Sequence, residues 1–171
     1  VTVDGKLTNN GHMYCTGLRH SGYYEMTNRG YLRIGEASTD NGVLLLNASQ
    51  DGTVISTGTL YVYGRMEMSG GKMSVEGYME CTNAVINAQL DIFSTVEVSD
   101  VLDIQSGSVY VGGGGMLRYG SCTAPEKITR EAGLYGDVNG DGVVDMADLA
   151  ALARHVARIE LLADLSRADI N

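Results

Sequence analysis

Tryptophan is absent from this sequence of 171 residues, which also has one phenylalanine and one proline although 44% of its residues are hydrophobic. Such a composition is unusual for a compact globule, because large aromatic side chains usually dominate the packing of a core. Most of the 23 glycines lie before residue 121, so the first 120 residues are built differently from the rest. We therefore expect one large domain followed by a small module.

Basic residues are also few, since 12 lysines and arginines face 21 aspartates and glutamates and leave a formal net charge of −9. Without a basic stripe the chain cannot neutralise many phosphates, which argues against a nucleic-acid partner. No apolar run approaches the roughly 20 residues that a membrane-spanning helix requires. The sequence thus argues against both a nucleic-acid-binding protein and a protein with a membrane span.

Cysteine is scarce as well: Cys15, Cys81 and Cys122 are too few for a disulfide framework and cannot all pair within the chain. The first two fall at positions that we expect to point inward from strands, where a free thiol packs as a small hydrophobic group. Whether Cys122 is free or paired stays open. The sequence also lacks an initiating methionine and a signal peptide and begins within what reads as a strand, so we expect that a leader or a longer segment was removed.

A five-residue phrase recurs between residues 11 and 119: a glycine, any residue, an apolar residue, any residue and a second apolar residue. It occurs as Gly11-Met13-Cys15, Gly22-Tyr24-Met26, Gly30-Leu32-Ile34, Gly58-Leu60-Val62, Gly64-Met66-Met68, Gly71-Met73-Val75, Gly77-Met79-Cys81 and Gly107-Val109-Val111. Between residues 84 and 106 the glycine is replaced, but the apolar pair persists as Leu90-Ile92, Val96-Val98 and Leu102-Ile104. Such a recurring unit indicates a repeat architecture.

The alternation within the phrase predicts short strands with one buried face. Many of these strands are separated by only one or two residues, which is too few for helical crossovers. Three strands per coil need about 20 residues, so the sequence predicts an all-β fold, a parallel β-solenoid over residues 1–120 with glycines at its corners. The competing fold is a β-sandwich. Its strands usually recur about every 8–12 residues, whereas the apolar pairs of this sequence recur about every six or seven.

The sequence of the repeat, as in DGKLTNNG, GTLYVYG and GGKMSVEG, resembles that of the glycine-rich solenoids of bacterial and archaeal surface proteins and adhesins. The resemblance spans about residues 1–119. It implies a structural or adhesive stalk and identifies no active site.

Tyrosine is the aromatic residue that the repeat uses freely. The register places six tyrosines on the outside of the solenoid: Tyr14, Tyr31, Tyr61, Tyr63, Tyr78 and Tyr110. Exposed rings can stack on sugar faces or anchor a protein partner. Tyrosine is also a good strand former, so these residues have a purely structural interpretation as well.

Outward carboxylates are the repeat's candidates for catalysis, because a pair of them can act as general acid and base, as in polysaccharide-degrading β-helices. They are Glu67, Glu76, Glu80, Asp91, Glu97 and Asp103, with Arg65 and Lys72 nearby. Acids spread over successive coils also keep the surface solvated and protect strand edges from unwanted pairing. We favour that interpretation and expect no catalytic residue.

The stretch GDVNGDGVVDMAD, residues 136–148, combines residue types and spacing that specify a chemistry. Side-chain oxygens occupy the first, third, fifth, ninth and twelfth positions of a twelve-residue loop, at Asp137, Asn139, Asp141, Asp145 and Asp148. Val143, at the seventh position, would contribute its backbone carbonyl, and Gly142 permits the tight curl. Because calcium takes about six to eight oxygen ligands, the loop predicts a calcium site. Apolar residues at helical spacing follow, which places Asp148 in the first turn of a helix.

Residues 136–159, GDVNGDGVVDMADLAALARHVARI, resemble the first half of a type I dockerin, the small calcium-binding module that attaches secreted proteins to cohesin domains. Asp169 and Asn171 match the first and third ligands of the second half, which this sequence leaves incomplete. The resemblance also implies which positions contact cohesin: Met146, Ala147, Ala153, Arg154 and Arg158. The Met-Ala pair departs from the hydroxyl pair of the best-known cellulosomal dockerins, so the partner's identity stays open.

These features predict a non-enzymatic extracellular protein, secreted or held at the cell surface, for structure or attachment. It would comprise a β-solenoid (residues 1–120), a cap or linker (121–135) and an incomplete dockerin-like module (136–171) with calcium as cofactor and a cohesin-like domain as partner. Extracellular modules meet roughly millimolar calcium, which favours that compartment. Two alternatives stay open: a surface-layer or filament subunit that binds copies of itself, and a β-helix that binds or degrades polysaccharide.

Overall fold

The computed structural model describes residues 1–22, 25–48, 52–131, 138 and 146–157. The chain divides into two units, Val1–Arg130 and Glu131–Asn171. The strands described in the first unit are β1 (Thr2–Val3), β2 (Leu7–Asn9), β3 (His12–Cys15), β4 (Gly17–Gly22), β5 (Met26–Asn28), β6 (Tyr31–Ile34), β7 (Gly42–Ala48), β8 (Thr53–Ser56), β9 (Thr59–Gly70), β10 (Lys72–Val75), β11 (Met79–Ile86), β12 (Gln89–Ile92), β13 (Thr95–Ile104), β14 (Ser108–Val111), β15 (Met116–Cys122) and β16 (Ile128–Arg130). A 3₁₀ helix (Pro125–Lys127) precedes β16, and the second unit contains helix α1 (Met146–Val156).

The strands of the first unit wind through three faces per coil, and the described pairings are parallel. The first face holds β3, β6 and residues 59–63, 79–81, 95–98 and 116–119. The second face holds β1, β4, β7 and residues 64–70, 83–86, 101–104 and 121–122. The third face holds β2, β5, β8, β10, β12, β14 and β16. This architecture confirms the predicted parallel β-solenoid.

The length of one coil can be read from the strand register. Met79 pairs with Leu60 in the preceding coil and with Val96 in the next, spacings close to the coil length that the repeat predicts. One coil is longer than the others, as the pairing of Tyr31 with Thr59 in the next coil shows. Part of the excess is a loop at residues 36–41, which is inserted at the corner between the first and second faces and is held by the hydrogen bond from Thr82 to Asp40.

The corner between the first and second faces differs from the separate short strands that the sequence predicts. β9, β11 and β13 run through this corner without a break, with a local shift of register between Cys81 and Asn83 in one coil and between Val98 and Val101 in the next. The first two faces therefore share one nine-stranded sheet. A bulge lets a strand bend with only a local interruption of its pairing, and the alternation of apolar residues alone does not show where this happens.

The core consists of columns of apolar side chains that contribute one residue per coil. One column on the first face is Leu32, Leu60, Met79, Val96 and Leu117, and each of these is buried. Cys81 is buried as predicted, and burial raises the pKa of its thiol to about 12. Cys15 is only half-buried, and the thiols of all three cysteines are free.

The corner between the third and first faces is built on stacked glycines and buried amides. A Cβ atom added to Gly30 would lie 2.1 Å from the carbonyl oxygen of Gly11 in the preceding coil, and one added to Gly58 would lie 2.1 Å from that of Gly30. Beside them, buried Asn9 donates to Asn28 (2.9 Å), which donates to the Ser56 hydroxyl (3.2 Å). Only glycine permits this approach, and the amides satisfy one another where the chain turns.

Residues 121–130, within the predicted cap or linker, continue the solenoid. β15 ends at Cys122, the 3₁₀ helix follows, and β16 pairs with β14 on the third face. Val109 and Val111 of β14 therefore keep a hydrogen-bonded neighbour. The solenoid is thus paired as far as Arg130.

Candidate functional site

The outward side chains of the first face form two columns that run across successive coils. Because inward residues alternate with outward ones, burial of Leu32, Leu60 and Met79 turns their neighbours toward solvent. The strand register aligns one column as Tyr14, Arg33, Tyr61, Glu80, Glu97 and Arg118. His12, Tyr31 and Thr59 align in the other column, and Tyr78 follows in the next coil.

Five of the predicted outward tyrosines form a continuous group of rings, which we call the tyrosine ladder: Tyr14, Tyr31, Tyr61, Tyr63 and Tyr78. The Tyr31 ring centroid lies 5.7 Å from those of both Tyr14 and Tyr61. The Tyr61 centroid lies 5.7 Å from that of Tyr63 and 5.6 Å from that of Tyr78. His12 stacks on Tyr31 at 5.5 Å, and the Arg33 guanidinium lies 4.9 Å from the Tyr14 ring centroid. These spacings suit favourable aromatic and cation–π contacts.

The sixth predicted tyrosine, Tyr110, lies elsewhere, on the third face in β14. Its ring meets that of Phe93 edge-on at 6.1 Å and covers Gly112, where an added Cβ would lie 2.5 Å from the ring. The pattern of alternation identifies Tyr110 as outward but does not say which face it is on. Counting coils onward from Tyr78 would have shown it, because the positions that follow Tyr78 on the first face are Thr95 and Met116.

The tyrosine ladder is partly exposed to solvent, and one of its hydroxyls is held by a hydrogen bond. Tyr14 is 57% exposed, whereas the other four rings are half-buried. The Tyr78 hydroxyl donates to a Glu80 carboxylate oxygen at 2.7 Å. Burial and then this hydrogen bond raise the pKa of the Tyr78 phenol well above its ordinary value. Burial likewise raises the pKa of Tyr31. Both hydroxyls therefore remain neutral donors at physiological pH.

Beyond Tyr78 the same face becomes polar. Glu80 and Glu97 lie directly opposite each other on neighbouring strands, an arrangement that repulsion makes unfavourable unless each finds a partner. Glu80 accepts from Tyr78, and Arg118 donates to Glu97 at 3.0 Å. The three charged residues line an open depression of about 250 Å³ together with Val98, Ser99, Tyr119 and Gly120. The tyrosine ladder thus leads into a patch of hydrogen-bonding groups.

The outward carboxylates that the sequence offered for catalysis are dispersed. Glu67 and Asp103 lie on the second face, Asp91 on the third, and Glu76 follows β10 at a corner. Among these six, the structure aligns Glu80 and Glu97 on the first face. Asp91 is buried; Lys72 contacts it at 2.5 Å, and Gln89 donates to it at 2.9 Å.

Helix α1 of the second unit is amphipathic. Asp148 and Ala151 are buried, and Leu152 and His155 are half-buried on the same side. The predicted partner-contacting residues that the structure describes, Met146, Ala147, Ala153 and Arg154, are all exposed, Met146 at 74%. Arg158, the fifth predicted position, lies outside the described residues.

Of the predicted calcium ligands, the structure describes Asp148. Asp137, Asn139, Asp141, Val143 and Asp145 lie outside the described residues, as do Asp169 and Asn171 of the incomplete second site. Asp148 is 3% exposed in the first turn of α1, although Met146, Ala147 and Leu149 beside it are exposed. A carboxylate is buried at a helix N-terminus when positive partners stabilise it, which fits the role of the last ligand of a hard cation.

Within residues 1–22, 25–48, 52–131, 138 and 146–157, no three His, Cys, Asp or Glu side chains are grouped so that they could hold a metal. None of the helices in those ranges has the length and apolar character needed to cross a bilayer.

Comparison with known proteins adds one family. Residues 135–171 match the family model of the dockerin type I domain. The match confirms the resemblance read from the sequence, and because such domains bind calcium and mediate protein–protein attachment, it supports that role for the second unit. No curated protein and no solved structure matches the chain.

Proposed function

We propose that this chain is a non-enzymatic extracellular attachment protein, whose C-terminal module binds calcium and a cohesin-like domain while the solenoid is the attached body. The match of residues 135–171 to the dockerin type I domain supports this function. The observation that carries it is the orientation of α1. Asp148 is buried on one side, while Met146, Ala153 and Arg154 are exposed on the other.

The exposed side of α1 includes residue types that are enriched in protein interfaces. Met146 and Leu149 are 74% and 55% exposed, so a partner that covered them would gain somewhat less than the about 1.5–3 kcal/mol that burial of a fully exposed side chain contributes. Methionine and arginine are both enriched in interfaces, and Arg154 adds a charge between small alanines that allow close approach. A helix that docks by this side fits the proposal.

Calcium would be held by the carboxylates and amide of the loop and by the Val143 carbonyl, with Asp148 as the ligand that belongs to the helix. A bound cation offsets the repulsion among the crowded acids. It also fixes the loop to the first turn of α1, so that metal binding becomes folding free energy. The residues at the family's contact positions would then be presented on a rigid helix.

The dispersed carboxylates support a body without catalytic activity. A general acid and its base must act on one bond, and Glu67, Asp91 and Glu97 lie on three different faces. Two pairs share a face, and each member of both pairs is engaged. Glu80 and Glu97 on the first face bond Tyr78 and Arg118. Glu67 and Asp103 on the second face bond Arg65 and Gln105, and the coil of Val85 lies between them.

The test is binding of the full chain to a panel of immobilised cohesin domains, measured by biolayer interferometry with calcium and with excess chelator. We expect binding to at least one domain, and only with calcium. Ala153→Glu should weaken it about tenfold or more, since it places a charge in the contact and glutamate still favours a helix. Ala37→Glu, the same change at an exposed site in the solenoid, should leave it unchanged. Failure of every cohesin in calcium, or equal binding by Ala153→Glu, would overturn the proposal.

A further inference from the structure

The tyrosine ladder is confined to one side of the solenoid. All three faces consist of parallel strands, so strand propensity favours tyrosine equally on each of them. Yet five of the six predicted outward tyrosines lie on the first face. One column of outward residues on the second face is Arg19, Leu45, Glu67, Val85 and Asp103, and it contains no tyrosine. A requirement for stable strands alone does not explain this concentration.

The ladder and the charged patch together form one extended strip. Parallel strands lie about 4.8 Å apart, so the strip from β3 to β15 is about 24 Å long. Rings occupy its first four coils, and Glu80, Glu97 and Arg118 occupy its other end. Tyr14, at the ring end, is 57% exposed. Such a strip suits a long ligand that lies across the coils better than a small molecule held in a cavity.

The charges of the strip indicate the nature of that ligand. Arg33 and Arg118 balance Glu80 and Glu97, so the strip is locally close to neutral, while the whole chain carries a formal charge of −9. A polyanion would be repelled by the chain as a whole, and a polycation would find no net excess of acid on the strip. Rings that stack on the C–H faces of a ligand, next to carboxylates and a guanidinium that bond hydroxyls, match a sugar chain.

We propose that this strip, formed by the tyrosine ladder with Glu80, Glu97 and Arg118, binds a neutral linear polysaccharide lying across the coils. The rings provide stacking platforms, and the polar end provides hydrogen bonds to hydroxyl groups. This binding is independent of the proposed attachment function, because it uses only residues of the first unit. The chain would thus hold a sugar polymer through its body and a protein through its module.

The test is retention of the full chain by neutral polysaccharides: insoluble cellulose and chitin in pull-downs, and soluble xylan and glucomannan in affinity gels. Polygalacturonate is the acidic comparison, and a proline-rich peptide tests the other ligand that stacks on aromatic rows. We expect retention by at least one neutral polymer, with and without chelator, and no release of reducing ends. Binding only to polygalacturonate, only to the peptide, or to none of them would overturn the proposal.

Variants separate binding from a structural role of the ladder. Tyr31→Thr removes a central ring and installs the residue that the same column already uses at Thr59 and Thr95, so the strand should tolerate it. We expect about tenfold weaker retention, as for loss of one interface anchor. Tyr110→Thr, on the third face, is the matched control and should bind as the parent does.

Circular dichroism and thermal melting must show that each variant keeps its solenoid. If Tyr31→Thr fails to fold, Tyr14→Thr replaces it, because that ring is the most exposed of the ladder. A folded ladder variant that binds as tightly as the parent would overturn the proposal. Loss of cohesin binding would leave it untouched, so the two proposals can fail separately.

Discussion

Tyr78 is the residue at which the aromatic and charged parts of the first face meet. Its hydroxyl donates to Glu80, and its ring contacts that of Tyr61. Burial first and this hydrogen bond second raise its phenol pKa. In the unfolded chain the phenol would ionise near its ordinary pKa of about 10. The stabilisation that comes from keeping it neutral is therefore complete below about pH 10 and declines as the pH rises toward the raised folded value.

Tyr78→Phe tests this linkage, because phenylalanine fills the same space and cannot ionise. At neutral pH the variant should be less stable than the parent by about 1 kcal/mol, since the hydrogen bond to Glu80 is lost. Between about pH 9 and about pH 11 the parent should lose more stability than the variant, so the difference should shrink. Urea unfolding followed by the strand signal at both pH values measures it. An unchanged difference would show that the Tyr78 phenol is not the group responsible.

Single residues also mark how far the sequence could predict the surface. Alternation identified Asp91 as outward, but its side chain is buried, in contact with Lys72 of the neighbouring coil and Gln89 of its own strand. Which side chain covers another depends on neighbours one coil away, and those are known only when the register is known. The same reason explains Tyr110, an outward residue whose face the alternation could not give.

At the scale of elements, stacked glycines determine how closely successive coils approach. Gly11, Gly30, Gly58 and Gly77 occupy equivalent corners between the third and first faces. Each of the last three would place an added Cβ 2.1 or 2.2 Å from the carbonyl oxygen of the glycine in the preceding coil. Gly11, in the first coil described, has nothing within 4 Å of the same position. The column of corner glycines therefore offers both crowded positions and, at Gly11, an open position for the same substitution.

Gly30→Ala should destabilise the solenoid by about 2 kcal/mol, because the methyl group meets backbone that cannot move away without separating two coils. Gly11→Ala should be neutral or slightly stabilising, since it removes backbone freedom from the unfolded chain without a clash. Equilibrium urea unfolding of both variants, followed by the strand signal, gives the comparison. Equal stability of the two variants would contradict the close stacking of these corners.

The repeat predicted the elements well where one local rule determines them. Glycine spacing and alternation identified many of the strands with their inward residues, among them β6, β10, β12 and β14, and a coil of about 20 residues, but not β7 and β8. They did not predict that β9, β11 and β13 continue through a corner, because a bulge depends on the pairing of neighbouring strands. The sequence pattern also did not predict the buried hydrogen-bonded column of Asn9, Asn28 and Ser56, although each of these residues lies two positions before a corner glycine. That spacing was the available signal.

At the scale of the whole molecule, we expect the units Val1–Arg130 and Glu131–Asn171 to be stabilised by different interactions. The solenoid is stabilised by apolar columns and by pairing between coils, neither of which involves a metal. The described part of the module is helix α1 with buried Asp148, and the acidic stretch that precedes it in the sequence predicted the calcium site from oxygen spacing alone. A ligand that binds only the folded form stabilises the unit to which it binds.

Removal of calcium should therefore lower the melting temperature of the module and leave the strand signal of the solenoid unchanged. Calorimetry resolves the two transitions, and circular dichroism assigns the helical one. Asp148→Asn should shift the helical transition of the calcium-loaded chain toward that of the chelated parent, because it removes the proposed ligand that would link the loop to α1. Asp100→Asn, which removes an exposed charge from the solenoid, should keep the full response to chelator. If chelator shifts both transitions or neither, calcium does not act through the loop and Asp148 as inferred.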